Sequence, residues 1–595
     1  MCGICGFAGF TDRALLRSMA AALEHRGPDD RGFFEDSAVS LGHRRLSIID
    51  LSAEAKHPVH NEEGSVQVVL NGEIYNYKKL RTELEAGGHR FYTEGDTETI
   101  VHAYEEYGLK FVEKIDGMFA FALWDAARKR LVLARDRMGK KPIYYWQDAG
   151  KNKFLFASEI KALLRCREVH AELNRKVLPL WMMMRVVPAR ETLFAGIKKV
   201  LPAEMLVLEN GKIRAQEYWR LRMDENIFDE HSAEKLLEQE FSKAVEERLI
   251  SDVPLGAFLS GGLDSSMIVA KMQGIMNEPV KTFTVGFGEE GDEFLYARQI
   301  AERFGTEHKE LVVGFPKMTR ALPKLVWHMD EPIADPAIMP TYFVTALARK
   351  KVTVALLGEG ADELFAGYTR YRRAQGAWNF LPAGLKHYIY RNQDIAFRET
   401  ELGNVLEEGN GAGALRKLSD GYFNSSANGT AFINRALMFD LRELLPNYQL
   451  MRVDRLTMAH GLEARAPFLA KGIAELSGRL GAGLKLNNGT GKYINRKLAA
   501  KVLPKERAGE KKRIFFVPMR KWFDEDARGV AEGLLDESVV HERGIFDYTG
   551  VKKLFNERER GIFRGRASNQ LWMMMMLEIW FRTFVDKRGE RAIKL

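Results

Sequence analysis

Cysteine is scarce in this 595-residue chain: only Cys2, Cys5 and Cys166 are present. Three thiols cannot staple a chain of this length. The core must therefore be hydrophobic and the compartment reducing, which makes the cytoplasm the expected location. Long apolar runs are also missing. A membrane helix needs about 18–20 apolar residues, whereas Leu178–Val187 is broken by Arg185 and Leu571–Phe584 carries Glu578 and Arg582. No membrane partner is expected, and no secretory segment either, because the short apolar opening is interrupted by Asp12 and Arg13. A strong charge of one sign is absent too. Lys and Arg number 89 against 81 Asp and Glu, a net +8, and basic clusters such as Arg507–Arg513 are short, which fits solvated faces and no nucleic-acid partner. There is no repeat at a fixed period and no long low-complexity segment. With 46% hydrophobic and 29% charged residues, wholesale disorder and fibrous architectures are excluded.

The first ~215 residues read as β-rich with a few helices. Val66–Leu70, Ala120–Trp124 and Leu131–Ala134 are strand-sized apolar stretches, and the sequence predicts turns bounding them at Asn71-Gly72, Asp116-Gly117 and Arg137-Met138-Gly139. Helical spacing is seen at Asp96–Tyr107. A polar join spans Glu217–Asn226. Beyond it, strand, glycine-containing turn and helix alternate: a helix over Ala233–Arg248, then strands at Pro254–Leu259, Lys281–Val285 and Val352–Leu357, with a helix at Glu293–Phe304. This alternation predicts a parallel sheet. From ~370 the pattern is mostly helical.

One of the three cysteines stands directly after the initiator methionine, in Met1-Cys2-Gly3-Ile4-Cys5-Gly6. Removal of Met1 would place a thiol and an α-amine on one residue. An α-amine with pKa near ~8 is a general base close to neutral pH, and a thiol beside such a base is an activated nucleophile. Two other readings compete: a C-x-x-C redox or metal pair, although no second pair exists, and an inert apolar cysteine, the better reading for Cys5.

Six motifs in order resemble the class II glutamine amidotransferases. They are the Cys2 opening, His25-Arg26-Gly27-Pro28-Asp29, Gly42–Asp50, Asn71–Asn76, Asp96-Thr97-Glu98 and Arg135–Pro142. The resemblance implies acyl transfer from glutamine's side-chain amide to Cys2, with the Asn71 side chain and the Gly72 N–H as oxyanion donors. It also implies Arg45 on the glutamine α-carboxylate, with Asp96 and Glu73 on its α-ammonium; Asn71 belongs to the same glutamine-binding set.

In the second half, Ser260-Gly261-Gly262-Leu263-Asp264-Ser265-Ser266 follows a strand and opens a helix. Glycines and small hydroxyls there leave N–H groups free for a phosphate, and the helix dipole assists. The alternative is a plain glycine-rich turn. It is not a Walker A loop. The S-G-G-x-D-S form resembles the pyrophosphate loop of ATP pyrophosphatases. Gly358–Tyr368, the signature Val453–Leu469 and Leu571–Leu577 are similar to glutamine-hydrolysing asparagine synthetases, and the resemblance covers Cys2 to about Phe584. It implies ATP contacts at Leu259, Ser260, Gly261, Gly262, Asp264, Ser265, Ser266, Val285 and Gly358. Asp264 and Asp362 would carry Mg²⁺, Glu359 would handle ammonia's proton, and Lys512 would neutralise phosphate charge.

The fold implied is α/β overall. An N-terminal αββα Ntn-hydrolase, an antiparallel β-sandwich between helices, spans residues 2–215. A parallel-sheet α/β ATP-pyrophosphatase domain with a helical C-terminal part spans residues 228–595. The substrates implied are glutamine, aspartate and ATP, and a homodimer is the family's expectation. Three positions depart from the family pattern: Leu357, where Ser is frequent; Ala470, where Asp is usual; and Ile514-Phe515-Phe516, in place of a Gly-Phe-Gly-like stretch. They leave two acceptors open, the β-carboxylate of aspartate or another carboxylate on a peptide, cell-wall or surface-polymer precursor.

Overall fold

The structure is a computed structural model that describes residues 2–372, 381–408, 411, 413–423, 431–504, 517–560 and 564–594. Twelve strands build its first part: β1 (Gly3–Ala8), β2 (Asp30–Glu35), β3 (Val39–Arg45), β4 (Val59–His60), β5 (Val66–Ile74), β6 (Gly117–Asp125), β7 (Arg130–Arg135), β8 (Tyr144–Asp148), β9 (Lys153–Ala157), β10 (Lys198–Lys199), β11 (Glu204–Glu209) and β12 (Lys212–Glu217). They form two antiparallel six-stranded sheets, ordered β10-β8-β9-β1-β3-β2 and β12-β11-β7-β6-β5-β4.

Period-two alternation explains the layering. In β6, Ala120, Ala122 and Trp124 face the other sheet, where they meet Ile4, Leu41 and Phe156. The alternate residues Phe119, Phe121 and Leu123 face helices α2 (Tyr77–Ala86) and α3 (Glu98–Tyr107) through Leu80, Ile100 and Val101. Helix α1 (Arg13–Ala21) covers the outer face of the first sheet with Leu16, Met19 and Ala20. The result is the expected helix–sheet–sheet–helix stack.

One expectation fails here. Asn71-Gly72 is no turn: both residues lie inside β5, paired with Ala120 and Phe119 of β6. Asn-Gly is a strong hairpin signal, but nine consecutive pairings with β6 override it. Gly72 is required for another reason. Its φ is +152°, and a Cβ there would lie 2.0 Å from the Met118 carbonyl oxygen.

The second part holds a parallel sheet of β13 (Leu255–Phe258), β14 (Lys281–Gly286), β15 (Glu307–Val312), β16 (Val354–Leu356) and β17 (Glu463–Arg465), ordered β15-β14-β13-β16-β17. The chain runs outward from β13 to β14 and β15, then returns to the other side of β13 for β16 and β17. The reversal opens a crevice at the carboxyl ends of β13 and β16, where α/β sheets bind ligands. The later residues are mainly helical. The closing helix Arg564–Trp580 buries Met573, Met574, Met575 and Met576 in the largest core, so these methionines are packing residues. Among the described residues, no helix is long and apolar enough to cross a membrane.

Candidate active site

The end of β3, the middle of β5 and the start of α3 converge on Cys2. A small pocket of about 30 Å³ is lined by Cys2, Arg45, Gly72, Glu73 and Asp96. The nitrogen of Cys2 donates to Asn71 Oδ1 at 3.2 Å. Asn71 is fully buried, and its Nδ2 has no partner among the described residues. An amide donor left unpaired in a core is costly unless a ligand uses it. Burial pushes the Cys2 thiol above its ordinary range, so the thiolate must be generated by a base rather than stand ready.

The pocket's charges are arranged for a zwitterion. The Arg45 guanidinium donates to the backbone carbonyls of Ser52 (3.2 Å), Ile49 (3.4 Å) and Asp50, and no carboxylate lies within ion-pair distance of it among the described residues. Asp96 accepts from the Ile74 N–H at 2.6 Å, yet burial drives its carboxyl up to about 6. Burial, with the nearby charges of Glu463 and Asp96, pushes Glu73 well above the carboxylate range. Two buried acids with no ion-pair partner among the described residues attract a cationic group. Cys5 differs from Cys2: it lies within β1, buried in the core with α1, and burial pushes its thiol up to about 12, the state of an inert structural cysteine. Cys2, Cys5 and Cys166 are all free and buried.

The second site lies at the sheet's switch point. A cavity of about 700 Å³ is lined by Leu259, Ser260, Gly261, Gly262, Asp264, Ser265, Val285, Gly358, Glu359 and Asp362. The loop after β13 is braced internally, with Ser260 and Ser265 hydroxyls 3.0 Å apart and the Gly262 N–H donating to Ser260 Oγ at 3.2 Å. Gly261 has φ +70°, and a Cβ would lie 2.4 Å from the Tyr296 carbonyl carbon. The loop can therefore press onto the next helix only as glycine. Gly262 precedes helix Leu263–Gln273, whose first turn no side chain caps. Those N–H groups face the cavity at a positive helix end. Ser266 does not line the cavity; it is buried in the helix's first turn.

Sequence reasoning missed two residues here. Lys492, fully paired, bridges Asp264 and Asp362, with Nζ 2.8 Å from Asp362 Oδ1. Arg452 donates to Glu359 Oε1 at 3.0 Å and to Asp335 Oδ2 at 3.1 Å. Lys492 stands alone in the sequence as an ordinary base. Arg452 directly precedes the Val453–Leu469 signature, and that adjacency was the one signal available. Two hard carboxylates converging on one ammonium are a donor set that also fits Mg²⁺.

Lys512 and Ile514-Phe515-Phe516 lie outside the described residues. Leu357 lines the large cavity and also a smaller one, about 20 Å³, shared with Met118, Lys140, Lys141, Asp454 and Ala466. Ala470 lines neither. It is the N-cap of helix Lys471–Arg479, without a side-chain capping bond. An Asp there would cap the helix, so this departure bears on stability rather than on the acceptor.

The family model described as asparagine synthase matches residues 236–582, and that described as glutamine amidotransferase domain matches residues 1–219. The chain is 33% identical to the glutamine-hydrolyzing asparagine synthetase 1 of Bacillus subtilis, over 98% of each chain. It is 30% identical to asparagine synthetase 3 of the same organism, over 99% of this chain and 100% of that one. The amidase chyE of Penicillium rubens is 32% identical over 62% of this chain and 60% of its own.

Proposed function

The chain belongs to the asparagine synthase family, with a glutamine amidotransferase domain ahead of the synthase domain, and on that premise we propose that it is a glutamine-dependent asparagine synthetase, an ATP-dependent carbon–nitrogen ligase of the cytoplasm. Residues 2–215 act as glutaminase and residues 228–595 as synthetase. The observation that carries the reading is the pairing of two sites: an unpaired buried amide beside Cys2, and a phosphate-ready loop facing Glu359 across one cavity.

With Met1 removed, the α-amine of Cys2 takes the thiol proton and the sulfur attacks glutamine's side-chain carbonyl. Asn71 Nδ2 and the Gly72 N–H receive the developing oxyanion. Ammonia leaves, and water then releases glutamate from the thioester. Arg45 holds the α-carboxylate of glutamine, and Glu73 and Asp96 its α-ammonium.

In the large cavity the β-carboxylate of aspartate attacks the α-phosphorus of ATP. The N–H groups of the Ser260–Ser266 loop hold the departing pyrophosphate, with Lys512 as a further cation and Val285 at the adenine. Asp264 and Asp362 would hold Mg²⁺, which supplies charge neutralisation to the phosphates. Ammonia attacks the acyl-adenylate, Glu359 takes its proton, and AMP leaves. The small cavity supports passage between the sites, because Leu357 and Val453 line both it and the large cavity, and Met118 pairs with Glu73.

A second acceptor is favoured by one observation. The large cavity continues past the phosphate loop to Arg370, Tyr390, Arg391 and Phe439, leaving room for a carboxylate on a larger molecule. Mass spectrometry of products formed with glutamine, ATP and candidate carboxylic acids decides between them. Cys2→Ala tests the two-site scheme: glutamine-dependent synthesis should vanish while synthesis from added ammonia persists. Equal loss of both would refute it.

A further inference from the structure

Helix Gln449–Met458 carries buried charges toward both sites, and its later residues belong to the Val453–Leu469 signature. Arg452 faces the large cavity and holds Glu359 and Asp335. Asp454 is two residues on, about 200° around the helix, so it points the opposite way. There it accepts a two-pronged contact from Arg26, with Nη1 to Oδ2 at 2.9 Å and Nη2 to Oδ1 at 3.2 Å. The same guanidinium donates its Nε to the carbonyl oxygen of Cys2 at 3.0 Å, and its Nη1 also reaches Glu159 Oε1 at 2.9 Å. Arg26 is fully buried and Asp454 nearly so. A fork-to-carboxylate contact of this kind fixes orientation as well as charge, and a buried guanidinium goes where its carboxylates are.

We propose that Asp454 is a positioning residue for Cys2: through Arg26 it sets the carbonyl two bonds from the carbon that bears the thiol, so that a synthetase helix holds the glutaminase nucleophile in place. This rests on the reading of Cys2 as nucleophile.

The test uses the full chain with Met1 removed. Asp454→Asn should lower the glutaminase kcat about 10–100-fold, the scale of a misplaced nucleophile. KM for glutamine should hold, because Arg45, Glu73 and Asp96 are untouched, and ammonia-dependent AMP formation should stay within about twofold. Arg26→Gln should give the same split. The double variant should be no worse than the weaker single variant, since both break the Arg26–Asp454 contact. An unchanged kcat, a rise in KM with kcat intact, parallel loss of both activities in both single variants, or losses that multiply in the double variant would each overturn the proposal. A wild-type chain without glutaminase activity would instead overturn the reading of Cys2 itself.

Discussion

Asn71 offers a perturbation in which stability and activity should move apart. Its Oδ1 accepts from the Cys2 nitrogen at 3.2 Å, while its Nδ2 is buried without a partner among the described residues. Asn71→Leu keeps the volume and removes both groups. Deleting an unpaired buried donor relieves about 1–3 kcal/mol, and losing the Cys2 contact gives back about 1 kcal/mol. The variant should therefore be as stable as the parent, or up to about 2 kcal/mol more stable, by denaturant midpoint. Loss of one oxyanion donor should cut glutamate release about 10²–10³-fold, or about 2.7–4 kcal/mol. Ammonia-dependent AMP formation serves as the control and should not change. Asn71→Asp separates the two roles, because it keeps an acceptor for the Cys2 nitrogen and sets a negative charge where the oxyanion forms. It should be no more active than Asn71→Leu. Tenfold recovery in the Asp variant would refute the oxyanion role, and a stability loss beyond about 2 kcal/mol in the Leu variant would show that the amide is not an uncompensated donor.

Two further outcomes are expected. Lys492→Met strips the cation from Asp264 and Asp362 and should destabilise the fold by about 3–5 kcal/mol. Added Mg²⁺ should restore part of that loss in thermal unfolding, and no restoration would argue against a metal position between these carboxylates. His102 is buried against Glu105 at 3.0 Å and Glu98 at 3.4 Å. Burial opposes its charge, but these carboxylates outweigh that and raise it to about 9. A folded-state value above the unfolded one gives stability that is complete below about pH 6.5 and lost as pH rises through about 9. His102→Asn should thus cost about 1–2 kcal/mol at pH 7, after screening at the part-exposed Glu105. The difference from the parent should close near pH 10; a constant difference across that range would refute the ion-pair account.

The edges of the parallel sheet show where sequence patterns lose their force. β15 is an edge strand with half-exposed faces, so Glu307–Val312 carries little apolar signal. β17 is only Glu463-Ala464-Arg465, fully buried, and its charges are tolerated because Arg465 Nε donates to Glu463 Oε1 at 2.6 Å. Neither strand was read from composition. The Asn71-Gly72 misreading has the same root: a local turn preference was outvoted by long-range pairing, and the glycine is there for the Met118 carbonyl pressed against it.

What the sequence by itself determined was whatever a contiguous stretch can encode. The nucleophile candidate at Cys2, the glycine-serine loop at Ser260–Ser266 and the order of the two halves depend on neighbouring residues and local backbone conformation. The charge partners were decided only by tertiary structure. Lys492 meets Asp264 across 228 positions, and Arg26 meets Asp454 across 428. An ion pair leaves no periodicity and no turn in the sequence. Packing alone brings such residues together, and a buried charge persists only where packing supplies its partner.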